Sequence, residues 1–360
     1  MDVPLRVGNE GAGVVTAVGM DSDEDAWELL GKTVGILGGQ MYTQYRVVPY
    51  KSALELLPDT SPAEGASAFV NPLTVLGMIE TMRDEGHTAI VHTAAASQLG
   101  QMLVRACANE GIPLVNVVRR PEQVSLLSGL GAEHVVDSSS EEFMDDLVNA
   151  ISATGATVGF DATGGGTLAS QILTAMERSA VAAAGASQPG NRYGSDTFKQ
   201  LYIYGGLDTT ETRLNRSYGM RWGVGGWLLG PNFLERVGPE RADAVRPPPP
   251  TPLFTATISS PPRAGGWRVQ ARKKVAEEIK TTFATSYSTE MSLREALSVD
   301  NLHEYGVMGA PTLIPGHALP CPPQSWRRAV LVEPALVACF RSWALRALYA
   351  LHACSLSVVR

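Results

Sequence analysis

Cysteine is scarce in this sequence, and the few cysteines lie far apart. The four are Cys107, Cys321, Cys339 and Cys354, and no two of them form a CxxC pair. Disulfide frameworks and structural zinc sites both need closely patterned cysteines. The pattern therefore excludes a disulfide-stapled fold and a cysteine-based zinc cluster, and it predicts a reducing compartment.

A long uncharged apolar run is also lacking. The most apolar stretch, residues 328–359, is interrupted by Glu333, Arg341 and Arg346, whereas a membrane-spanning helix needs roughly 18 or more consecutive apolar residues. The N-terminus shows neither a signal peptide nor a transit pattern. We expect no membrane partner and a cytoplasmic location, with organellar import left open if the natural N-terminus lies upstream of Met1.

Positive charge is in deficit. The net charge of −7 at pH 7 argues against a protein that neutralises nucleic-acid phosphates, so no nucleic-acid partner is expected. Hydrophobic residues at 44% and charged residues at 18% are ordinary for a globular protein, and 360 residues are enough for two domains.

The order of strand and helix patterns indicates an α/β protein. The first 65 residues read as short strands, VVTAV, KTVGIL and YRVVPY, broken by glycine turns. A helical pattern begins after Ser61, and strands then alternate with helices; the strands are AIVHT, PLVNVV, HVVD, TVGFDAT, AVAAAG and LYIYGG. Such alternation with short connections predicts a doubly wound parallel sheet.

The turn after the strand AIVHT has the character of a phosphate-binding loop. HTAAASQLGQM places small residues at a helix N-terminus, where backbone N–H groups and the helix dipole favour a diphosphate. Measured against GxGxxG, only the last glycine is present. The cofactor-binding candidates in this turn are Ala95, Ser97, Gln98, Leu99 and Gly100, and an ordinary strand-to-helix turn is the alternative.

Two arginines directly follow the next strand, where a dinucleotide fold meets the adenine ribose. An NAD site places Asp or Glu there, whereas the 2′-phosphate of NADPH calls for arginine. Arg119 and Arg120 follow NVV, and one guanidinium can pair with the phosphate while the other stacks on the adenine. The pair predicts NADPH as the cofactor, and two solvated arginines at a helix start are the alternative.

Several segments in order resemble one family. GNEGAGVVTAVG (8–19) is similar to the GHExxGxVxxVG signature of the medium-chain dehydrogenases/reductases, and LLGKTVGIL is similar to their GDxV strand. AAASQLGQ resembles the AxxGxxG loop of the quinone oxidoreductase branch, and VNPLTVLGMIE (70–80) resembles the segment lining the nicotinamide. The resemblance implies a GroES-like β-rich catalytic domain, a Rossmann domain, and hydride transfer from nicotinamide.

Departures from the family pattern modify these expectations. Asn9 stands where zinc-dependent members have a histidine, and no cysteine precedes Cys107, so we expect a zinc-independent protein without metal, in which Glu10 is structural. The signature begins at Gly8, which implies a truncated catalytic domain lacking its catalytic acid. The predicted parts are a truncated GroES-like domain (1–65), an NADPH-binding Rossmann domain (66–206), the C-terminal part of the catalytic region (207–245 and 267–305), a Pro-rich insertion (246–266), and a poorly ordered non-family tail (306–360).

The remaining site candidates are hydrogen-bond donors and residues at which the backbone could lie close to the cofactor. Without zinc, hydrogen-bond donors must polarise the substrate. The catalytic candidates are Tyr42 and Thr74, with Tyr45 as a further donor and a structural role as the alternative for Tyr42. The other cofactor-binding candidates are Asn71, Thr74, Asp161, Gly205 and Gly206, for which helix capping or a simple turn is the alternative.

Two classes of function follow from these observations. The first is an NADPH-dependent reductase that acts on a quinone or an α,β-unsaturated carbonyl or thioester, with a small electrophilic substrate as its partner. The second is a catalytically silent NADPH-binding or interaction protein, or a truncated gene product. A zinc alcohol dehydrogenase is disfavoured by the absent ligands. LYIYGGL (201–207), taken as an edge strand, predicts a homodimer.

Overall fold

The computed structural model describes residues 8–39, 41, 43–185, 192–229, 267–286 and 329–335. These residues form two compact units. The first unit takes its described residues from Met1–Leu73 and Ala271–Arg341, and the second takes them from Thr74–Gln270.

In chain order, the helices and strands are β1 (Glu10–Val18), α1 (Glu24–Trp27), β2 (Thr33–Leu37), β3 (Arg46–Pro49), a 3-10 turn (Tyr50–Ser52), β4 (Leu54–Glu55), α2 (Pro62–Gly65), α3 (Val70–Asp84), β5 (Ile90–Thr93), α4 (Gln98–Glu110), β6 (Leu114–Val118), α5 (Pro121–Gly129), β7 (His134–Asp137), α6 (Phe143–Thr154), β8 (Val158–Asp161), β9 (Gly164–Gly166), α7 (Leu168–Ala184), β10 (Lys199–Ile203), β11 (Asp208–Thr212), β12 (Trp222–Gly226), α8 (Trp267–Glu278) and β13 (Ala329–Ala335).

The first unit is built on an antiparallel sheet of five strands in the order β3-β13-β1-β2-β4. Strand β13 pairs with β1 on one side and with β3 on the other, and Val332 of β13 is buried in the core. This pairing corrects the expectation of a poorly ordered tail at residues 329–335. The reason is physical, because the apolar run AVLV supplies both strand propensity and a core side chain.

The core of the first unit closes around β1 and β2. Val15, Val34 and Ile36 are almost fully buried in one cluster with Tyr50, whose hydroxyl donates to Asp23. A helix begins after Ser61 as predicted, and Ser61 is the N-cap of α2, where it forms a capping box with Glu64.

The second unit carries a six-stranded sheet in the order β12-β10-β8-β5-β6-β7, and every pair of neighbours is parallel. The predicted α/β fold with a doubly wound parallel sheet is therefore confirmed. Strands β5, β6 and β8 are buried at every position, as expected for strands covered on both faces. Helices α6 and α7 pack over one face through Leu147, Ile151, Ile172 and Leu173.

Two sequence-based expectations about the second unit were wrong. AVAAAG was predicted to be a strand, but Ala180–Ala184 form the last turn of α7. Alanine is the strongest helix former, and no turn residue precedes this run. LYIYGGL was predicted to be an edge strand, but β12 pairs along β10 from Lys199 to Ile203 and covers that edge.

A buried ion pair joins α7 to the start of β10. Lys199 is fully buried, and its Nζ donates to Glu177, to Ser195 Oγ at 3.0 Å and to the carbonyl of Thr197 at 2.9 Å. Burial raises the pKa of the Glu177 carboxyl, but the hydrogen bonds from Lys199 and Ser195 outweigh burial and leave that pKa lowered. The pair fixes the backbone that leads into β10.

Among the described residues, no helix is both long enough and apolar enough to cross a membrane.

Candidate nucleotide-binding site

The order in which strands are added to the parallel sheet reverses between β5 and β8. From β5 the chain proceeds to β6 and β7 on one side, and from β8 it proceeds to β10 and β12 on the other. Loops that leave the carboxyl ends of the two central strands therefore diverge and open a crevice, which is where open α/β sheets bind ligands. Most of the predicted cofactor residues lie at the carboxyl ends of β5, β6, β8 and β10.

The turn between β5 and α4 brings together the predicted phosphate-loop residues. Ser97 is the N-cap of α4, and its Oγ accepts a hydrogen bond from the Gly100 N–H at 3.1 Å. A β-carbon at Gly100 would lie 2.1 Å from the carbonyl oxygen of Ala95, so only glycine fits there. Ala94 holds the turn with φ +49°, which is uncommon for a residue with a side chain.

The rest of this turn is compact and small. Ala95 and Leu99 are buried, whereas Ala96 and Gln98 are half-buried. Because the side chains at 94–96 are methyl groups, the backbone at the end of β5 can be approached closely by a ligand.

The predicted arginine pair follows β6 directly. Both Arg119 and Arg120 are exposed, and Arg120 is the N-cap residue of α5 in an extended conformation. The Arg119 N–H donates to Gln123 Oε1 at 3.1 Å, which fixes the backbone at the strand end. Since β6 is the neighbour of β5, the pair lies on the same carboxyl edge as the Ala94–Ser97 turn.

Asp161, at the end of β8, forms hydrogen bonds with neighbouring residues of the protein. It is fully buried, and its carboxylate accepts hydrogen bonds from Thr93 Oγ1 at 2.6 Å, from the Thr163 N–H at 2.8 Å and from the Gly164 N–H at 3.1 Å. Thr93 Oγ1 in turn accepts from the Ala162 N–H at 2.8 Å. These bonds tie the loop after β8 to the end of β5, and they do not cap a helix, since the N-cap of α7 is Thr167.

The predicted glycines after β10 pack against this same loop. A β-carbon at Gly205 would lie 2.5 Å from the Ala162 carbonyl oxygen, and one at Gly164 would lie 2.7 Å from the Gly205 carbonyl oxygen. At Gly206, in contrast, an added β-carbon would meet no atom within 4 Å. Gly205 is therefore required by close backbone packing, whereas packing within the described residues does not require glycine at position 206.

The other candidates lie elsewhere in the chain. Asn71 is buried and Thr74 is half-buried in the first two turns of α3. Tyr45 is exposed, and Tyr42 lies outside the described residues. Glu10 has the structural role expected of it, because its Oε2 accepts from the Phe69 and Val70 N–H groups at the start of α3, at 3.0 and 2.8 Å.

Sequence reasoning missed three residues of this carboxyl edge. His92 and Thr93 were not among the candidates, although both are polar residues in a strand that is otherwise apolar and fully buried. Tyr204 was passed over in favour of the glycines that follow it, yet its hydroxyl lies 2.7 Å from His92 Nε2. A polar residue inside a buried strand is the signal that would have pointed to the pair.

In the part of the chain that the structure describes, no three His, Cys, Asp or Glu side chains are grouped so that they could hold a metal ion.

Comparison with known proteins adds sequence relatives to this geometry. A scan against models of protein families found no match. Over 144 residues the chain is 33% identical to the mitochondrial enoyl-[acyl-carrier-protein] reductase of Xenopus tropicalis, and the alignment covers 37% of this chain and 39% of that protein. The chain spans well under half the length of the curated relatives it matches.

Solved structures extend the similarity over most of the chain. A proposed NADPH:quinone reductase from Mesorhizobium loti matches with a TM-score of 0.59 at 25% identity, covering 82% of this chain and 74% of that one. A variant of Etr1p in complex with NADP and crotonyl-CoA shares the fold, with a TM-score of 0.51 at 16% identity and coverage of 85% and 77%. These matches agree with the motifs and the strand order, and they confirm the predicted resemblance. The chain is therefore similar in sequence and fold to quinone reductases and enoyl reductases, the branch that its motifs resemble.

Proposed function

We propose that this chain binds NADPH at the carboxyl edge of the six-stranded sheet and reduces an electron-poor carbon–carbon double bond. The substrate would be a quinone or an α,β-unsaturated carbonyl or thioester. The observation that carries the proposal is the turn between β5 and α4. There Gly100 packs against Ala95, and the helix N-terminus is brought to the crevice where the strand order reverses.

The residues of this edge fit a dinucleotide phosphate. Gly100 lets α4 approach the turn, and the alanines at 94–96 leave the backbone accessible to a diphosphate. Arg119 and Arg120, exposed at the neighbouring strand end, would bind the adenosine 2′-phosphate. When bound, the nicotinamide would supply the hydride, and the protein's part is to orient it and to exclude water.

The remaining candidates divide between backbone and donor roles. Gly206 would face the nicotinamide end, because no described atom lies within 4 Å of the position that its β-carbon would occupy. Thr74, half-buried in α3, would donate to the cofactor or substrate, and Asn71 would stabilise the same helix start. Asp161 would act only indirectly, through the loop that its three hydrogen bonds hold.

The Xenopus relative is an enoyl-[acyl-carrier-protein] reductase and the Mesorhizobium neighbour a proposed quinone reductase, so both substrate classes need a test. Purified protein would be mixed with NADPH and either crotonyl-CoA or a benzoquinone, and NADPH consumption would be followed by absorbance. Oxidation that depends on the added acceptor supports the proposal, and the acceptor identifies the class. NADPH binding without consumption by either acceptor would favour the catalytically silent alternative.

Quaternary structure and compartment stay predictions. With β10 covered, β12 is the outermost described strand on that side of the sheet and would take the place of LYIYGGL in a homodimer. Analytical ultracentrifugation at two protein concentrations would test for the dimer.

A further inference from the structure

His92 and Tyr204 form a polar pair between the ends of β5 and β10. His92 is fully buried, Tyr204 is half-buried, and the Tyr204 hydroxyl lies 2.7 Å from His92 Nε2. Their rings stack with centroids 5.8 Å apart. The Tyr204 N–H donates to the Asp161 carbonyl at 2.9 Å, so both the backbone and the side chain of Tyr204 are held in place.

The surroundings of His92 determine which of its nitrogens carries the proton. Burial lowers the pKa of His92 to about 3, so the ring is neutral and has one N–H. Within the described residues, Nδ1 is buried without a hydrogen-bond partner. A buried N–H without an acceptor is rarer than an acceptor without a donor. The proton therefore belongs on Nε2, from which it is donated to the Tyr204 oxygen.

In this tautomer the hydroxyl proton of Tyr204 is not donated to His92 and can be donated to another acceptor. Burial raises the pKa of the Tyr204 hydroxyl, and the charge of Asp161 raises it further, so the hydroxyl keeps its proton. Its oxygen accepts from His92, and its proton points away from that bond. Tyr204 stands immediately before Gly205 and Gly206, on the edge where the cofactor and substrate would lie.

We propose that Tyr204, oriented by His92, donates a hydrogen bond to a carbonyl oxygen of the molecule bound at this edge. The acceptor is the carboxamide oxygen of the nicotinamide or the carbonyl oxygen of the substrate. The proposal rests on the proposed function. His92 is a positioning residue, because it reaches the ligand only through Tyr204.

The tautomer can be measured on the full chain without any ligand. Protein labelled with ¹⁵N-histidine is observed by NMR, and the His92 signals are identified by their loss in His92→Gln. Protonated Nε2 and bare Nδ1 are expected. The reverse pattern would overturn the inference even if the chain proves to be a reductase.

Ligand binding tests the donor itself. Tyr204→Phe is compared with Tyr202→Phe, which removes a hydroxyl from the preceding strand β10 that donates to Glu85 at 2.6 Å. Dissociation constants are measured for NADPH alone by fluorescence, and for butyryl-CoA in the presence of NADPH by calorimetry. Removing one neutral hydrogen bond should weaken one of these equilibria roughly three- to tenfold in Tyr204→Phe only.

The two arms of the binding test separate the sources of the oxygen. Weaker NADPH binding assigns the carboxamide, and unchanged NADPH binding with weaker butyryl-CoA binding assigns the substrate carbonyl. A lower melting temperature with both constants unchanged would show a merely structural tyrosine and overturn the inference. No nucleotide binding by the unaltered chain would overturn the proposed function, and the inference with it.

Discussion

The α-carbon of Gly100 lies so close to Ala95 that an added β-carbon would be 2.1 Å from the Ala95 carbonyl oxygen and 2.7 Å from its α-carbon. The obstacle is backbone rather than a movable side chain, so the turn itself would have to shift. This contact couples the position of α4 to the end of β5, and with it the geometry of the proposed phosphate site.

Gly100→Ala should therefore damage both stability and binding. Overpacking of this kind costs about 1–3 kcal/mol of unfolding free energy, and displacement of the turn should abolish NADPH binding. Gly129→Ala is the matched control in α5, where no atom lies within 4 Å of an added β-carbon. It should be neutral or stabilise by up to about 1 kcal/mol. Urea unfolding and nucleotide titration measure both effects in both variants. Equal losses of stability and of NADPH binding in the two variants would contradict the role of the Gly100 contact.

Thr93→Val should loosen the loops at the carboxyl edge. The substitution keeps the shape but removes one of the three donors to Asp161, and it leaves the Ala162 N–H without its acceptor. An unsatisfied buried donor costs about 1–3 kcal/mol. Thr174→Val is the control, because that hydroxyl donates only to the Ser170 carbonyl within α7 and should cost less than about 1 kcal/mol. Chemical denaturation would measure both values.

Removing one partner of the buried ion pair should be far more costly than removing an exposed one. Lys199→Met leaves the Glu177 carboxylate without its main partner, and we expect a loss of about 3–5 kcal/mol. Lys273→Met removes an exposed pair with Glu277 at 3.7 Å and should change stability by less than about 1 kcal/mol. Comparable losses in the two variants would show that the buried pair does not fix the start of β10.

The pH dependence of stability should carry the signature of Glu10. Burial raises the pKa of Glu10 to about 7 from the ordinary 4.5, against the lowering effect of the Val70 and Phe69 N–H groups. The folded protein then binds this proton more tightly than the unfolded chain does. The contribution is complete below pH 4.5 and is lost as the pH rises through about 7.

Glu10→Gln isolates the contribution of Glu10 to the pH dependence of stability, since the amide keeps an accepting oxygen and does not titrate. The unfolding free energy of the unaltered chain, minus that of Glu10→Gln, should fall between pH 4.5 and about 7. Glu142→Gln provides a control of opposite sign. The Ser140 hydroxyl lowers the pKa of Glu142, so the Glu142 contribution is lost as the pH falls. A flat difference for Glu10 would contradict the raised pKa.

The parallel sheet could be predicted because its signals are local. Short apolar strands alternate with helices along the chain, and turn residues separate them, so order and direction follow without knowledge of distant contacts. AVAAAG misled because small apolar residues suit a buried strand as well as a helix. Strand β13 was missed because it pairs with β1 across more than 300 residues of sequence, a separation that no local pattern reports.

The same distinction between local and long-range contacts applies to the candidate site. The Ala94–Gly100 turn and the arginine pair were predicted because each lies next to the strand that positions it. The hydrogen bond from Thr93 to Asp161 was not predicted, because the two residues are 68 positions apart in sequence. The pairing of His92 with Tyr204 likewise depends on a contact across 112 residues.

The most direct test of the central claim is fluorescence titration of the chain with NADPH and NADH, repeated with Arg119 and Arg120 both changed to alanine. A control variant, Arg178→Ala with Lys273→Ala, removes two exposed charges from α7 and α8. We predict selective binding of NADPH that is lost only in the Arg119/Arg120 variant. Binding of neither nucleotide, or NADPH binding unaffected by loss of the arginine pair, would contradict the assignment of this edge as an NADPH site.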